Sequence, residues 1–476
     1  MAKGAYEVHE ELKRELQTYI KSQYFSKSPL LHDSLDHMLS EEGVIFQQPF
    51  IESSPAYLSI GDGISKSNLA LWKKEFLNAL AESNLGVFSS PFKHQIDALQ
   101  AVDEGKDLFV STGTGSGKTE CFLWPLLIKL AQEAKEQPDT WEQRAVRVIL
   151  MYPMNALVSD QVSRLRKLIG DPEQKFLNIF KNVCGRNARR PQFGMYTGRT
   201  PYPGSVPSKA ADKELQNTLS RMVLSQVDET ERKYLQRLIT EGKVPAKVDL
   251  GRFVEKIQHS QHYPDEEDAE LVTRFEMQAV TPDILITNYS MLEYMLLRPR
   301  EENIWDDTKK WLNESDQNKL LFIIDEAHMY KGSSGGEVAL LIRRLFEKLD
   351  ITRKKVQFIL TTASMPDRSE GDRNAVMKFA YELTASDELH NFCYLTGEKE
   401  TNTGCTLHSV NNDIFAHFTP EMFEQTDQRL NVLNEFWKLM DSDFQSFQSE
   451  VFCPKYIDHK LLVLNVCGQL FIMSIA

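Results

Sequence analysis

Short apolar runs alternate along the middle of the chain with longer segments in which apolar residues recur every three or four positions. The first pattern predicts buried β-strands, and the second predicts amphipathic helices. The predicted strands cover residues 108–110, 146–152, 193–196, 283–287, 320–325 and 356–361. Helices are predicted over 92–101, 120–128, 155–166 and 291–296 and around 338–345. This order indicates an α/β fold, in which helices cover both faces of a parallel sheet.

The segment from about residue 203 to 278 departs from this alternation. It is rich in charged residues, predicts helices over 211–222 and 229–238, and shows no strand pattern. We interpret it as a helical insertion into the α/β lobe. The predicted organisation is an N-terminal accessory region, the lobe and a C-terminal segment, over residues 1–85, 86–385 and 386–476.

The two flanking regions carry no residues of a catalytic type. Apolar residues at helical spacing between 12 and 20 and between 30 and 39 predict two amphipathic helices, and extended chain follows over 44–51. We therefore expect a packing role for the N-terminal region. The apolar run 461–476 at the other end looks like a chain cut short.

Composition places the chain among soluble globular proteins. Its 476 residues are 41% hydrophobic and 26% charged, which suits about two to four domains. No apolar run reaches the length of a membrane span, and the N-terminus lacks the apolar core of a signal peptide. The six cysteines include no Cys-x-x-Cys pair, so we expect reduced thiols in a cytoplasmic protein without a zinc site.

A glycine-rich turn, Ser111-Thr-Gly-Thr-Gly-Ser-Gly-Lys-Thr119, links the first predicted strand to the next helix. A phosphate-binding loop needs this order, because its backbone N–H groups then point into one hollow at a helix N-terminus. The alternative is a flexible Gly/Ser loop, and the Lys-Thr ending argues against it. The residues expected to hold nucleotide are Thr114, Gly115, Ser116, Gly117, Lys118 and Thr119.

Individual residues around this loop have separate predicted roles. Lys118 can reach the outer phosphates of a nucleotide, and the Thr119 hydroxyl can hold Mg²⁺. Gln95, near the start of the preceding helix, can donate and accept hydrogen bonds at the edge of adenine. Thr112 is a departure, since the common loop has Gly or Ala six residues before the lysine.

Two acidic residues end the most apolar predicted strand, in the sequence Asp325-Glu-Ala-His328. Asp325 can hold Mg²⁺, and Glu326 can orient and deprotonate an attacking water. Two carboxylates at a buried strand end are costly unless a cation or ligand compensates. A solvated acidic cap is the alternative, which the phosphate loop upstream makes less favourable.

Small hydroxyl residues follow the next predicted strand, in Thr361-Thr-Ala-Ser364. They can bond to the acidic motif or to His328 and report the state of the nucleotide. His328, Thr362 and Ser364 are therefore the candidate coupling residues, with a plain exit from the strand as the alternative.

Three further stretches, 152–157, 196–200 and 281–290, combine hydroxyl, amide and arginine side chains with predicted helix starts. Such groups bind phosphate oxygens without reading bases, so they predict sequence-independent binding of nucleic acid. Ordinary loop chemistry is the alternative for each stretch alone. The net charge of −13 also argues weakly against this binding, although a local groove can outweigh it. The candidate contact residues are Asn155, Arg199, Thr200, Thr287 and Asn288, and Arg186, Arg189 and Arg190 precede the second stretch.

These motifs, in this order, resemble superfamily-2 helicases of the Asp-Glu-x-His type. The resemblance covers about residues 86–385, the first RecA-like lobe of such enzymes. Finer features look like the large bacterial helicases related to YprA and MrfA, several of which occur in antiphage defence islands. These features are Thr112–Cys121, Tyr196–Pro203, Thr287–Pro299, Asp325–Gly332 and, in the N-terminal region, Gln47–Glu52.

The resemblance implies a role for each matching position. Gln95 would contact adenine, Lys118 and Thr119 would serve the phosphates and Mg²⁺, and Asp325 and Glu326 would serve the metal and the water. Residues 362–364 would couple hydrolysis to movement. The implied cofactors are ATP and Mg²⁺, and the implied activity is translocation along DNA with a 3′-to-5′ bias.

The chain departs from the pattern of these helicases after Ser364. About 110 residues follow, and they show neither the strand series of a second lobe nor an arginine-finger motif. Gly185–Arg189 superficially resembles that motif, but it precedes the acidic motif, so we interpret it as a basic loop. We therefore expect a partner chain to supply a second lobe.

The leading hypothesis is the first motor lobe of an ATP-dependent DNA helicase or translocase. The first alternative is a module that binds nucleotide and nucleic acid without turnover on its own. The second is an ATPase that remodels RNA or displaces protein. The motifs do not separate DNA from RNA, since contacts to the backbone dominate the binding of both.

Overall fold

The structure is a computed structural model. It describes residues 5–24, 29–41, 43–47, 56–113, 115–204, 209–224, 229–363, 365, 369–386, 392–399, 461–466 and 469–474. The chain divides into two compact units. One unit comprises residues 57–398, and the other comprises residues 1–56 together with 399–476.

The helices and strands follow the predicted alternation. The helices are α1 (Ala5–Tyr24), α2 (Pro29–Ser40), α3 (Gly63–Lys66), α4 (Leu71–Glu82), α5 (Lys93–Asp103), α6 (Glu120–Glu136), α7 (Pro138–Glu142), α8 (Asn155–Leu168), α9 (Lys175–Cys184), α10 (Lys209–Ser220), α11 (Glu229–Thr240), α12 (Leu250–Gln258), α13 (Arg274–Ala279), α14 (Tyr289–Leu297), α15 (Glu302–Glu314), α16 (Ser333–Leu349) and α17 (Glu370–Leu383). The strands are β1 (Asp107–Ser111), β2 (Val148–Tyr152), β3 (Phe193–Tyr196), β4 (Glu270–Leu271), β5 (Ile284–Asn288), β6 (Leu320–Ile324), β7 (Val356–Thr362), β8 (Phe392–Thr396), β9 (Leu461–Val466) and β10 (Gln469–Ser474).

The larger unit is built on a parallel sheet. Among the described residues this sheet has eight strands in the order β4-β3-β5-β2-β6-β7-β1-β8, and each of its neighbouring pairs is parallel. All six strands predicted from the sequence are present, and the α/β fold class is confirmed. The structure adds β4 and β8, which the sequence analysis missed. β4 has two residues and lies in the segment where no strand was predicted, and β8 lies at a sheet edge, where its side chains are mostly half-buried.

Helices bury both faces of this sheet, as the apolar runs require. Alternate residues of a strand point to opposite faces. On β6, Leu321 and Ile323 therefore pack in one core, whereas Leu320, Phe322 and Ile324 pack in the other. Residues from α4, α5, α6, α8 and α9 complete the first core, and residues from α14, α15, α16 and α17 complete the second.

The predicted helical insertion contains α10, α11 and α12. Leu219, Val223 and Phe253 belong to a small apolar core of its own. The segment is fastened by Lys247, whose side chain is fully buried with its ammonium group bonded to Asp268 and Glu276. Buried ammonium groups require such partners, so this ion cluster holds the chain between α11 and α12 against β4 and α13, at the end of the predicted insertion.

A second buried ion cluster lies where β2, β3 and β5 begin. Asp283 is fully buried and accepts hydrogen bonds from Arg147 at 2.9 Å and from Arg189 at 2.7 Å. Arg190 is also buried and donates to the carbonyl oxygen of Glu267. This position corrects the suggestion that Arg189 and Arg190 support a nucleic-acid surface, because both are used inside the fold. It agrees with the interpretation of Gly185–Arg189 as a basic loop.

Asp283→Asn is expected to lower the free energy of unfolding by about 3–5 kcal/mol, because Arg189 then loses its buried anion and Arg147 keeps only Glu133. Burial alone would raise the pKa of Asp283, but Arg189 and Arg147 hold the pKa below its ordinary value. The destabilisation should therefore be constant above about pH 5 and should shrink as the pH falls through the folded-state pKa, where the wild type also loses this charge. Denaturant unfolding at several pH values measures it, with the exposed Asp306→Asn as the control. Equal stability of the wild type and Asp283→Asn at pH 7 would contradict the assignment.

The smaller unit contains α1, α2 and the antiparallel pair β9 and β10. Both helices predicted near the N-terminus are present, but Leu12, Leu16 and Tyr19 on the apolar stripe of α1 are exposed. In the predicted extended stretch 44–51, residues 48–51 lie outside the described residues, as does most of the motif Gln47–Glu52. Within the described parts of both units, no helix combines the length and apolarity that crossing a membrane requires.

Candidate nucleotide and nucleic-acid site

The polar motifs of the sequence meet at one edge of the parallel sheet, where its strands end. The glycine-rich loop follows β1, the acidic motif follows β6, and the hydroxyl motif ends β7. These three strands are neighbours in the order β6-β7-β1. The candidate nucleic-acid residues lie at or just after the ends of β3, β5 and β2, which are also neighbours. The nucleotide motifs therefore occupy one half of this edge. The candidate contacts to nucleic-acid phosphates occupy the other half.

The loop after β1 has the curled backbone of a phosphate cradle. Gly115 and Gly117 have positive φ angles of 76° and 70°, which other residues adopt only at a cost. A Cβ atom on Gly117 would lie 2.2 Å from Nε2 of Gln95, so a side chain is also excluded by space. Thr119 directly precedes α6, whose N-terminal end faces the loop. These features fit a nucleotide phosphate group and its Mg²⁺.

The structure accommodates the unusual residue at position 112. Thr112 is buried, its Oγ1 accepts a hydrogen bond from Oγ of Ser116 at 2.7 Å, and its N–H donates to the Thr362 carbonyl oxygen. Its hydroxyl thus bridges the start and the middle of the loop. Thr114, predicted as a nucleotide contact, lies outside the described residues.

Gln95 touches the phosphate loop itself. Its amide oxygen accepts from the backbone N–H of Phe92 at 2.9 Å, and its amide nitrogen donates to the carbonyl oxygen of Gly117 at 3.1 Å. Only 2% of the residue is exposed. The contact with adenine stays a prediction, and an adenine ring would have to compete with both of these hydrogen bonds.

Two residues that the sequence analysis missed also hold the loop. Nε2 of His94 bonds to the carbonyl oxygen of Ser116 at 2.8 Å, and the hydroxyl oxygen of Tyr57 accepts from the N–H of Gly113 at 3.0 Å. The adjacency of His94 and Gln95 in the sequence was a usable signal for the first contact. Tyr57 carried no such signal, because it is far from the loop in the chain.

The acidic motif and the loop lysine lie together although they are distant in sequence. Nζ of Lys118 is 3.5 Å from Oε1 of Glu326, across 208 positions of the chain. Glu326 has a φ of 52°, a left-handed conformation that non-glycine residues adopt only under constraint. This sharp turn directly follows Asp325. The two adjacent carboxylates therefore differ in burial, since Asp325 is buried and Glu326 is half-buried.

The hydroxyl motif bonds to the acidic motif, as predicted from its place in the sequence. Thr361 donates to the Asp325 carboxylate, and Oγ1 of Thr362 lies 3.1 Å from Nδ1 of His328. The same His328 nitrogen lies 3.2 Å from Oε2 of Glu326. Contacts therefore run from β7 to both acidic residues. Ser364, the third predicted coupling residue, lies outside the described residues.

The carboxylates have the properties of a cation site. Burial raises the pKa of Asp325, the Glu326 carboxylate adds to this rise, and the Thr361 hydrogen bond acts in the opposite direction. Oε2 of Glu326 is buried, and within the described part of the chain its contact with Nδ1 of His328 at 3.2 Å lacks the geometry of a hydrogen bond. A nearby divalent cation favours the charged form of such carboxylates. The oxygen ligands at this edge therefore fit Mg²⁺.

The candidate nucleic-acid residues fall into exposed and buried sets. Arg199 is exposed, and Asn155 and Asn288 are half-buried at the starts of α8 and α14. Nδ2 of Asn288 donates to Oδ1 of Asn155 at 2.7 Å, and Oδ1 of Asn288 caps α14 through the N–H of Met291. One amide therefore joins two helix starts that follow adjacent strands.

Thr200 and Thr287 belong to the buried set. Thr200 donates to the carbonyl oxygen of Met195, and Thr287 donates to the carbonyl oxygen of Tyr196, both at 2.7 Å. Each is at most 2% exposed. Neither hydroxyl faces solvent in this structure, so the arrangement does not support direct phosphate contacts by these side chains. Their bonds instead shape the turn that exposes Arg199.

The sequence pattern of the DEAD/DEAH box helicases matches residues 92–234 and 247–371, which is more than half of the chain. The chain belongs to the DEAD/DEAH box helicase family. The matched residues include the phosphate loop, the acidic motif and the hydroxyl motif, so the resemblance drawn from these motifs is confirmed.

Relatives of this DEAD/DEAH box chain include a defence protein and YprA, one of the helicases that its finer motifs resemble. Druantia protein DruE of Escherichia coli (strain UMEA 4076-1) is 37% identical over 467 residues, covering 94% of this chain and 24% of DruE. The uncharacterized ATP-dependent helicase YprA of Bacillus subtilis (strain 168) is 32% identical over 80 residues, covering 17% of this chain and 9% of YprA. This chain thus spans about a quarter of the length of DruE.

A solved structure is also similar to this DEAD/DEAH box chain. The crystal structure of DUF1998 helicase MrfA bound to DNA shares 18% identity, with a TM-score of 0.38. The alignment covers 78% of this chain and 34% of the MrfA chain.

Proposed function

We propose that this chain is the first motor lobe of an ATP-dependent DNA helicase or translocase. The observation that carries the proposal is the 3.5 Å approach of Nζ of Lys118 to Oε1 of Glu326. Phosphoryl transfer from ATP to water needs a cation at the phosphates and a base at the water, and this arrangement brings both groups to one place.

Each residue of the nucleotide half then has a task that its position supports. The N–H groups of the loop and the Lys118 ammonium bind the phosphates, and Thr119 and Asp325 hold Mg²⁺, which neutralises charge on the phosphates when bound. Glu326 orients the attacking water and accepts its proton. Its adjacent neighbour Asp325 is more deeply buried, which suits a metal ligand better than a base.

The contacts between β7 and the acidic motif support a coupling role for His328 and Thr362. His328 lies between Glu326 and Thr362, so a change at the base alters its contact with the end of β7. We propose that this contact transmits the state of the nucleotide. Ser364 keeps its predicted role in the same coupling.

The other half of the edge would grip the nucleic-acid backbone. Arg199 supplies an exposed charge. The helix starts at Asn155 and Asn288 supply N–H groups that can donate hydrogen bonds to phosphate oxygens. For Thr200 and Thr287 we propose a positioning role, since their hydroxyls are already bonded inside the chain. These contacts read no bases, so binding should be independent of sequence.

DNA is the proposed track because the finer motifs resemble those of DNA helicases. The test is steady-state ATP hydrolysis by the purified chain without nucleic acid, with single-stranded DNA, and with single-stranded RNA of the same sequence. Stimulation by DNA supports the proposal, whereas stimulation by RNA alone favours the RNA-remodelling alternative. Binding of ATP and DNA with little turnover is the result expected if a partner chain supplies the second lobe, and adding that chain should then restore hydrolysis.

Arg199→Ala is expected to weaken binding of single-stranded DNA by about threefold to tenfold, to the same extent on different base sequences. The loss of one phosphate contact should also reduce the slope of log affinity against log salt by about one. Fluorescence anisotropy at several salt concentrations measures both quantities. Arg343→Ala, on the exposed surface of α16, is the matched control. A loss that depends on base sequence would overturn the backbone assignment.

A further inference from the structure

Two consecutive side chains of α5 bond to two consecutive carbonyl groups of the phosphate loop. His94 bonds to the carbonyl oxygen of Ser116 at 2.8 Å, and Gln95 bonds to that of Gly117 at 3.1 Å. Both side chains lie in the first turn of α5 and are 2% exposed. The side of the loop that faces α5 is therefore held by a pair of fixed hydrogen-bond donors.

This pairing also sets the direction of the N–H groups on the opposite side of the loop. In a planar trans peptide, the carbonyl group of one residue and the N–H group of the next point in opposite directions. A donor that fixes the Ser116 carbonyl thus aims the N–H of Gly117 away from α5. A donor that fixes the Gly117 carbonyl does the same for the N–H of Lys118.

We propose that His94 is a positioning residue for the nucleotide, which aims the N–H of Gly117 at the phosphates by holding the carbonyl group of Ser116. The inference rests on the proposed nucleotide site and extends it to a residue that does not touch the nucleotide. Glycine at position 117 makes the device necessary, because a residue with φ of 70° and no side chain is otherwise free to rotate.

The surroundings of His94 keep one ring nitrogen as a donor. A carbonyl oxygen only accepts, so Nε2 must carry the hydrogen. Burial lowers the pKa of His94, while the Ser116 bond and Asp97 act in the opposite direction. Nδ1 is buried without a hydrogen-bond partner in the described part of the chain, which leaves donation to the loop as the polar contact of this ring.

Two aromatic rings fix the orientation of the imidazole. Phe92 stacks on His94 with ring centroids 5.6 Å apart and an angle of 15° between the planes. Tyr57 meets the ring edge-on at 5.4 Å, and its hydroxyl accepts from the N–H of Gly113 in the same loop. The ring is thus held on two sides while its Nε2 bonds to the loop.

The test compares His94→Gln with His94→Asn in the full 476-residue chain. The glutamine amide nitrogen can take the place of Nε2, whereas the asparagine amide is one methylene shorter and does not reach the Ser116 carbonyl. MgATP, MgADP and MgGTP are titrated by calorimetry, and thermal unfolding is recorded for each variant. We expect His94→Asn to weaken MgATP and MgADP by about tenfold each, the order of one lost hydrogen bond to a charged group. His94→Gln should stay within about threefold of wild type, and the ratio of ATP to GTP affinity should not change.

Three outcomes would overturn the inference. One is a folded His94→Asn chain with wild-type affinity for MgADP, and another is an equal loss in both variants, which would indicate packing of the ring. The third is a changed ratio of ATP to GTP affinity, which would indicate contact with the base. If neither variant folds, His94→Phe, which keeps the aromatic packing, must weaken MgADP by about tenfold or the inference fails. Failure of wild type itself to bind MgATP would instead refute the proposed function.

Discussion

Lys118→Ala is expected to weaken binding of MgATP by about 10²-fold or more. The side chain of Lys118 is 12% exposed, so its ammonium group meets the phosphates in a partly dehydrated position where charge-assisted hydrogen bonds are strong. Alanine removes this charge and also leaves Glu326 near the phosphates without its cationic neighbour at 3.5 Å. Titration of a fluorescent ATP analogue with Mg²⁺ present measures the loss.

Lys167→Ala is the matched control for this change, because it removes an exposed lysine of α8 at a position that no motif includes. The control should bind MgATP with wild-type affinity. Wild-type affinity in Lys118→Ala as well would show that the glycine-rich turn is not a phosphate-binding loop.

Glu326→Gln is expected to lower the turnover number for ATP by about 10²- to 10⁴-fold, the range that a positioned general base contributes. The change keeps the size and polarity of the side chain, so it should also keep the strained turn at φ 52°. The affinity for MgATP should remain within a few-fold of wild type, because the group acts on the water. The measurement is steady-state hydrolysis in any assembly of this chain that turns over ATP, together with a binding titration.

Glu347→Gln controls for the loss of one negative charge, since Glu347 is an exposed residue of α16. It should leave both turnover and affinity unchanged. Retention of turnover near the wild-type level in Glu326→Gln would assign the base to another group. A loss of affinity equal to the loss of turnover would assign Glu326 to binding.

The sequence predicted the strands well because each one is a local apolar run. β6, for example, is five apolar residues that are buried on both faces. It missed β4 because two residues form no recognisable pattern, and β8 because an edge strand is only partly buried. The phosphate loop and the acidic motif were also found from local sequence, since their chemistry depends on neighbouring residues.

The structure changed the interpretation of several residues by showing what surrounds them. Arg189 and Arg190 suggested a basic surface, but buried partners bind both inside the fold. Thr200 and Thr287 suggested phosphate contacts, but both hydroxyls bond to backbone carbonyls of β3. Residue type alone does not separate these cases, because the same groups bind phosphate or protein according to what lies opposite.

The sequence by itself determined the α/β class, the position of the phosphate loop and the carboxylates at the end of β6. Each of these depends on residues that are neighbours in the sequence. The tertiary structure decided which of these meet. Strand order, which no local pattern encodes, places β6 and β1 on either side of β7. That order brings Lys118 to Glu326 across 208 positions. Packing of α5 against the loop likewise decided the roles of His94 and Gln95, because a hydrogen-bond donor acquires its function only from the acceptor that the fold places within reach.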